Sequence, residues 1–227
     1  MKILAIETSM GRTSVALAQP RTAQPILSKR MEAGRAQAEQ LVPLIGALME
    51  EADVPFACLG RIAVCVGPGG FSGIRTGVAA ARGIGLAANV PVVGATSFQI
   101  MAWVFEKTTG VPATYGLAAP AGLSAVYCQI LARSGAPLTG IVALPQSECA
   151  GFFAGKAEVL AGPAAEALRE GGFVSLPTTA AQLYPDATPL AGMAASLDPE
   201  RDLPSPYYVR EADAKPQTGH LIARQPG

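Results

Sequence analysis

The chain has 227 residues, with 17 Lys+Arg balanced by 17 Asp+Glu, and is 50% hydrophobic but only 15% charged. Zero net charge gives the chain no global electrostatic reason to hold nucleic acid by itself, because non-specific binding needs a basic surface. The length suits one large domain or two small ones with ample core material, and the abundance of Ala and Gly predicts a close-packed interior poor in aromatics.

Two uncharged runs, residues 83–105 and 108–132, exceed the roughly 20 residues that cross a bilayer. Asn89, Pro91 and Gly94 in the first, and Pro112, Gly116, Pro120 and Gly122 in the second, punctuate them as short buried strands joined by turns. No membrane association is expected. Only Ile3 to Ile6 separate Lys2 from Glu7, too little for a signal-peptide apolar region. Cys58, Cys65, Cys128 and Cys149 form no Cys-x-x-Cys pair and sit in apolar stretches, the pattern of reduced core residues in a cytoplasmic protein.

In chain order, residues 2–7 and 13–19 read as strands around a Gly11 turn, and a third strand is expected near 26–30. Short turns between them predict an antiparallel meander. A helix follows over about 36–52, with Leu41, Leu44, Ile45 and Leu48 on one face and Pro43 as a kink or late start. Residues 61–66 read as a buried strand ending in Gly67-Pro68-Gly69-Gly70, followed by a helix over 73–88 and a strand over 91–93. Thr96 or Ser97 then caps a helix to about Phe105. Strand-helix-strand units require parallel crossovers, so the sheet is predicted to be mixed. Beyond residue 106 the pattern repeats weakly, with strands expected at 115–118, 126–131 and 140–144 and further elements to about Phe173. This suggests two lobes, 1–105 and a reduced copy over 106–227, whose tail after Pro177 the pattern does not resolve.

Two segments are candidates for chemistry. Glu7-Thr8-Ser9 ends the first strand, where an acid and hydroxyls can position a metal-bound phosphate. Without a neighbouring Lys or second acid, a turn whose hydroxyls satisfy the backbone is preferred. The loop from Gly67 to Arg75 could present N–H groups to an anion at a helix start. It has no Gly-Lys-Ser/Thr, so it is not a Walker loop. His220 is the one histidine, which excludes histidine metal sites and Ser-His-Asp triads. At the place in the second lobe matching Glu7, the chain reads Ala119-Pro120-Ala121-Gly122, with no acid. No catalysis, cofactor or metal is therefore expected of this chain alone.

Gly73, Gly77, Ala81 and Gly85 fall at successive i+4 positions on the second helix. Each helical glycine costs about 1 kcal/mol relative to alanine, so some backbone must approach closely along that stripe. Either the chain's own sheet and first helix or another protein can supply it.

Three strings, Lys2 to Ser9, Gly67 to Arg75 and Pro206-Tyr-Tyr-Val-Arg210, together resemble the TsaB (YeaZ) family. That family comprises the dimerisation subunits of the bacterial tRNA threonylcarbamoyladenosine machinery. The resemblance is close over the first hundred residues and loose beyond. It implies an α/β fold of the actin/hexokinase (ASKHA, ribonuclease H-like) type, with duplicated lobes and mixed sheets. It also implies a non-catalytic scaffold that binds a TsaD-like catalytic subunit through helices of the first lobe and helps recruit a TsaE-like ATPase. The complex transfers threonylcarbamoyl to the adenosine 3′ of the anticodon in tRNAs reading codons that begin with A, so tRNA is met indirectly. The chain departs from the family pattern in having Glu7 in place of Asp, Pro120-Ala121-Gly122 in place of Asp-Ala-Arg, and Gln37 where a histidine is common.

The expected partner surface is accordingly Gln37, Leu41 and Leu44 on the first helix with Gly73, Arg75, Gly77, Ala81 and Gly85 on the second. A homodimer through the same helices is expected when the partner is absent. The competing reading is an ATP-dependent small-molecule kinase of the same fold, which would need a second phosphate-contacting acid. A protease reading lacks both a nucleophile with a base and a metal site.

Overall fold

The computed structural model describes residues 1–19, 27–32, 37–108, 110–179 and 183–209. Arg210 and His220 lie outside them, as does the side chain of Gln37.

Strands β1 (Lys2–Glu7), β2 (Arg12–Ala18) and β3 (Leu27–Glu32) form the expected meander, β1–β2 and β2–β3 both antiparallel. Helix α1 (Gln37–Glu51) runs through Pro43 without ending there. Next come β4 (Leu59–Gly67), α2 (Phe71–Ala88), β5 (Val92–Thr96) and α3 (Ser97–Phe105). Strands β4 and β5 are parallel to β1, giving the mixed order β3-β2-β1-β4-β5. Thr96 begins α3 through a capping box with Gln99: the Thr96 hydroxyl accepts from the Gln99 N–H at 3.0 Å, and the Gln99 side chain accepts from the Thr96 N–H at 2.7 Å. Asn89 ends α2 in the left-handed region at φ 52°, which a short polar side chain tolerates.

The second sheet repeats the first. Strands β6 (Thr114–Pro120), β7 (Ala125–Ala132) and β8 (Val142–Pro145) form another antiparallel meander. After α4 (Cys149–Phe153), strand β9 (Val159–Ala161) pairs parallel to β6; after α5 (Ala165–Glu170), β10 (Thr178–Thr179) pairs parallel to β9. Counted from its meander edge the order is β8-β7-β6-β9-β10, the same as in the first sheet. Helix α6 (Ala187–Met193) follows β10 as α3 follows β5.

These last two helices fasten the lobes together. Phe98, Met101 and Phe105 of α3 pack with Tyr115, Leu117 and Leu131 of the second sheet. Leu190 and Ala191 of α6 pack with Ile3, Ala5, Ala63 and Val93 of the first. The division expected at residue 105/106 therefore needs correction. The sheets separate near it, but α6 lies on the first sheet, and the tail follows: the Gly94 N–H donates to Asp202 O and the Tyr207 N–H to Val66 O, both at 2.8 Å. Burying α6 there covers an alanine-rich sheet face that would otherwise meet water. Helices α1 and α2 cover the opposite face, over Leu4, Ile6, Val15 and Val64.

Candidate functional site

Strands β1, β4 and β5 bring their C-terminal ends together, as an open parallel arrangement requires of a ligand crevice. Glu7 is fully buried there. One carboxylate oxygen accepts from the Ser9 N–H at 2.6 Å and from the Ser9 hydroxyl; the other is buried without a hydrogen bond. Burial raises the Glu7 carboxyl to about 7 despite the two Ser9 bonds, and the negative charge of Asp186 adds to the rise. The Cys65 thiol, which donates to the Ser9 hydroxyl at 3.4 Å, is pushed up by its own burial and by Glu7.

The glycine-rich loop folds onto this cluster. The Gly70 N–H donates to Ser9 O at 2.6 Å, and a Cβ on Gly69 would overlap the same carbonyl. The Ser97 hydroxyl donates to Pro68 O at 2.8 Å. Gly67 has φ 100°, and a Cβ there would lie 3.1 Å from Tyr207 O. Gly67 and Gly69 are thus required by the close approach of the chain's own backbone. Tyr208 closes the arrangement: its hydroxyl accepts from Arg75 Nε at 2.9 Å, while the Arg75 guanidinium lies 3.6 Å above the Phe71 ring. The three strings singled out in the sequence, around Glu7, Gly67 and Tyr208, meet at this one place.

The stripe on α2 faces inward. Thr8 donates its hydroxyl to Gly73 O at 2.8 Å, and a Cβ on Gly77 would overlap that hydroxyl. A Cβ on Gly85 would overlap Val92 and lie 3.3 Å from Val90 O, and Ala81 is fully buried. Leu41 is fully buried in the core beneath α1, and Leu44 packs half-buried against it. The expectation that Gly73, Gly77, Ala81, Gly85 and Leu41 offer themselves to a partner is therefore corrected: i+4 spacing identified a packing face, and its neighbour is the chain's own first sheet. Only Arg75 of the expected stripe residues is exposed.

Two other helical glycines lack such a reason. A Cβ on Gly46 of α1 or Gly83 of α2 would meet nothing within 4 Å. They lie on the outward side of the α1–α2 pair, where Val42 is 59% exposed and Leu86 86% exposed, with Ala47 and Ala79 also exposed. The sequence reading missed this face because Gly83 stands off the i+4 stripe; its signal is a helix glycine with no partner for the space it leaves.

Elsewhere, a cavity of about 570 Å³ opens beside β2, lined by Arg12, Arg30, Met31, Tyr184 and Asp186. Its charges are engaged: Arg30 Nε donates to Asp186 at 2.7 Å, and the Arg12 guanidinium lies 4.0 Å above the Tyr184 ring. At the end of β6, the Ala121 N–H donates to Ala125 O and closes a tight turn where the first sheet has Glu7. Among the described residues no three His, Cys, Asp or Glu gather as metal ligands, and no helix is long and apolar enough to cross a membrane.

Residues 29–186 match the family model described as TsaD: tRNA N6-adenosine threonylcarbamoyltransferase. A tRNA N6-adenosine threonylcarbamoyltransferase from Erythrobacter litoralis is 39% identical over 105 residues, 40% of this chain and 30% of that protein. The Escherichia coli tRNA threonylcarbamoyladenosine biosynthesis protein TsaB is 30% identical over 102 residues, 45% of this chain and 43% of its own length. The chain thus spans less than half the length of these two relatives. Among solved structures, YeaZ from Pseudomonas aeruginosa is similar over 91% of this chain and 99% of its own, at 25% identity and a TM-score of 0.72. The ethanolamine utilization protein EutJ from Carboxydothermus hydrogenoformans, at 10% identity and a TM-score of 0.52 over 85% of this chain and 89% of its own, shares the fold.

Proposed function

Because the chain belongs to the TsaD family, in its TsaB (YeaZ) branch, we propose that it is the non-catalytic partner subunit of a complex that forms threonylcarbamoyladenosine in tRNA. In this reading it holds a TsaD-like catalytic subunit through the outward side of α1 and α2. It helps bring in a TsaE-like ATPase, and it meets tRNA only through the assembled complex.

The observation that carries the reading is the pair Gly46 and Gly83. Each costs its helix about 1 kcal/mol relative to alanine, and neither space is filled from within the chain. Two such gaps beside exposed Val42 and Leu86 suit the close approach of another helix. A second copy of the chain would use the same face, so homodimer and heterodimer compete for it. A scaffold role is supported by the strand-end cluster, where the Gly70 N–H is taken up by Ser9 O and the Ser9 N–H and hydroxyl by Glu7.

The test is Gly83→Leu, assayed by co-purification with the TsaD-like subunit of the same cell and by reconstituted tRNA modification. Leucine on an open helix surface should leave the melting temperature equal or higher. Partner capture and modification are expected to be lost together. Normal assembly by a well-folded Gly83→Leu chain would remove this face from the interface.

A further inference from the structure

Cys128, in the middle of β7, and Cys149, at the start of α4, are separated by 21 positions in the chain, yet their sulfurs lie 3.8 Å apart. Both residues are fully buried, in the core between the second sheet and α4 that also holds Ala118, Phe153 and Leu160. The other two cysteines serve as contrasts. Cys58 is exposed, and Cys65 is buried against Ser9 in the first lobe. Spacing along the sequence gave no sign of the pairing, because it arises from α4 folding back over β7 across the edge strand β8.

We propose that Cys128 and Cys149 are a modification site: a dithiol that a small hydroperoxide converts to an intramolecular disulfide. Two sulfurs in van der Waals contact need only close to about 2.05 Å to bond, and rotation of the two side chains with a small movement of α4 supplies that. Helix α4 has only five residues, with Ala150 and Gly151 exposed on its outer side. It is the kind of short element that opens locally without global unfolding.

The pair is also asymmetric. Either sulfur can donate to the other, the Cys149 thiol also reaches Pro145 O at 3.6 Å and the Cys128 thiol Val126 O at 3.8 Å, and burial together with the Cys149 contact pushes the Cys128 thiol up. Cys149, carried on the short helix and not in the middle of a strand, is the sulfur that peroxide meets first when α4 opens. Its thiolate attacks one peroxide oxygen; an S–O bond forms, the O–O bond breaks, and hydroxide leaves. The Cys128 thiol gives its proton to that hydroxide, and its sulfur attacks the Cys149 sulfenic acid, forming the S–S bond and expelling the second oxygen as hydroxide, which takes up the proton that Cys149 released on becoming a thiolate and leaves as water. Two thiols lose two electrons, and one hydrogen peroxide becomes two waters. The product ties β7 to α4 and closes the loop containing β8, which constrains the unfolded chain more than the folded one.

The experiment uses the full chain carrying Cys58→Ser, so that the exposed thiol cannot couple two molecules. Folded protein is treated with hydrogen peroxide, quenched in acid, unfolded with an alkylating reagent and digested for mass spectrometry. Of the three thiols that remain from four cysteines, one is expected to survive. A Cys128–Cys149 cross-linked peptide should appear, dithiothreitol should restore both thiols, and the oxidised chain should melt at a higher temperature until reduced. Three surviving thiols, or a sulfinic acid on either residue without the cross-link, overturns the proposal. In Cys149→Ser the Cys128 thiol is expected to persist under the same treatment; its loss at an unchanged rate also overturns it. If Cys149→Ser does not fold, the Cys58→Ser measurement decides alone.

Discussion

Gly77 packs against the side chain of Thr8, whose hydroxyl donates to the carbonyl of Gly73 one helical turn earlier, at 2.8 Å. The turn after β1 is thereby locked onto the first half of α2, and the glycine-rich loop between β4 and α2 is held from both ends. The contact explains a glycine on the inner side of α2 with no second molecule.

Gly77→Leu is expected to fail as a folding mutation. A leucine side chain would occupy the Thr8 hydroxyl and push α2 off β1 and β4, and overpacking of this kind costs about 1–3 kcal/mol. Breaking the Thr8 bond to Gly73, which is buried, adds to the loss. Thermal melting checks it: a chain that melts like the wild type would show that the helix has room at Gly77. The contrast with Gly83→Leu on the outer side of the same helix separates fold from interface.

That contrast also shows what was legible in the sequence. Short apolar runs and the Gly11 turn identified the first-lobe meander to within about two residues at most ends, because β1 and β2 are buried along almost their whole length; β3, the edge strand, is half-buried and was placed by the short connection to β2. The Gly77 stripe was visible as a small-residue face, but periodicity specifies a side of a helix and not the neighbour on it. Thr8 as that neighbour follows only from the turn after β1. The two residues of β10 and the Ala-rich α6 carry too little pattern to be read, and the return of α6 to the first sheet depends on contacts with Ile3 and Ala63 that are distant in sequence. Cys128 and Cys149 met unannounced for the same reason.

Glu7 sets a pH dependence. Its carboxyl is raised from the ordinary 4.5 to about 7, chiefly by burial. The folded chain therefore holds a proton that the unfolded chain has released between these values, and stability falls as pH rises. The penalty is absent below pH 4.5, grows between 4.5 and 7, and levels off above, at about 3 kcal/mol in all. Glu7→Gln keeps an oxygen for the Ser9 N–H and hydroxyl and removes the titration. Denaturant midpoints at pH 5 and pH 8 should differ clearly in the wild type and much less in the variant. Equal slopes in the two proteins would show that Glu7 does not carry the effect.

The tail latch is expected to be local. Tyr208 is 43% exposed, so truncating it removes one hydrogen bond to Arg75 and a stacking contact with Phe71 at the surface. Tyr208→Ala should change the melting temperature little. It should speed hydrogen exchange at the Tyr207 amide, which donates to Val66 O at 2.8 Å, while amides of β1 stay protected. Unchanged exchange at Tyr207 would mean that backbone pairing alone holds the tail.

The crossing of α3 and α6 supplies a reporter of how the lobes are joined. A Cβ on Gly192 of α6 would lie 2.7 Å from the ring of Trp103, the one tryptophan in the chain. Gly192→Val must displace that ring, because the far side of α6 is fixed: Arg61 donates to Ala194 O at 2.6 Å and to Leu197 O at 2.7 Å, and Leu190 is fully buried on the first sheet. Moving the indole towards water shifts its emission to longer wavelength. It also disturbs the Lys107 ammonium, which lies 3.2 Å from the centre of the Trp103 ring. The expected outcome is a red-shifted folded spectrum with a loss of about 1–3 kcal/mol from overpacking. Valine also gains some chain stiffness over glycine, so the net loss should sit at the lower end of that range. An emission maximum identical to the wild type with unchanged stability would show that α6 slides along the sheet to make room, and that the two lobes are joined less tightly than the Trp103–Gly192 contact implies.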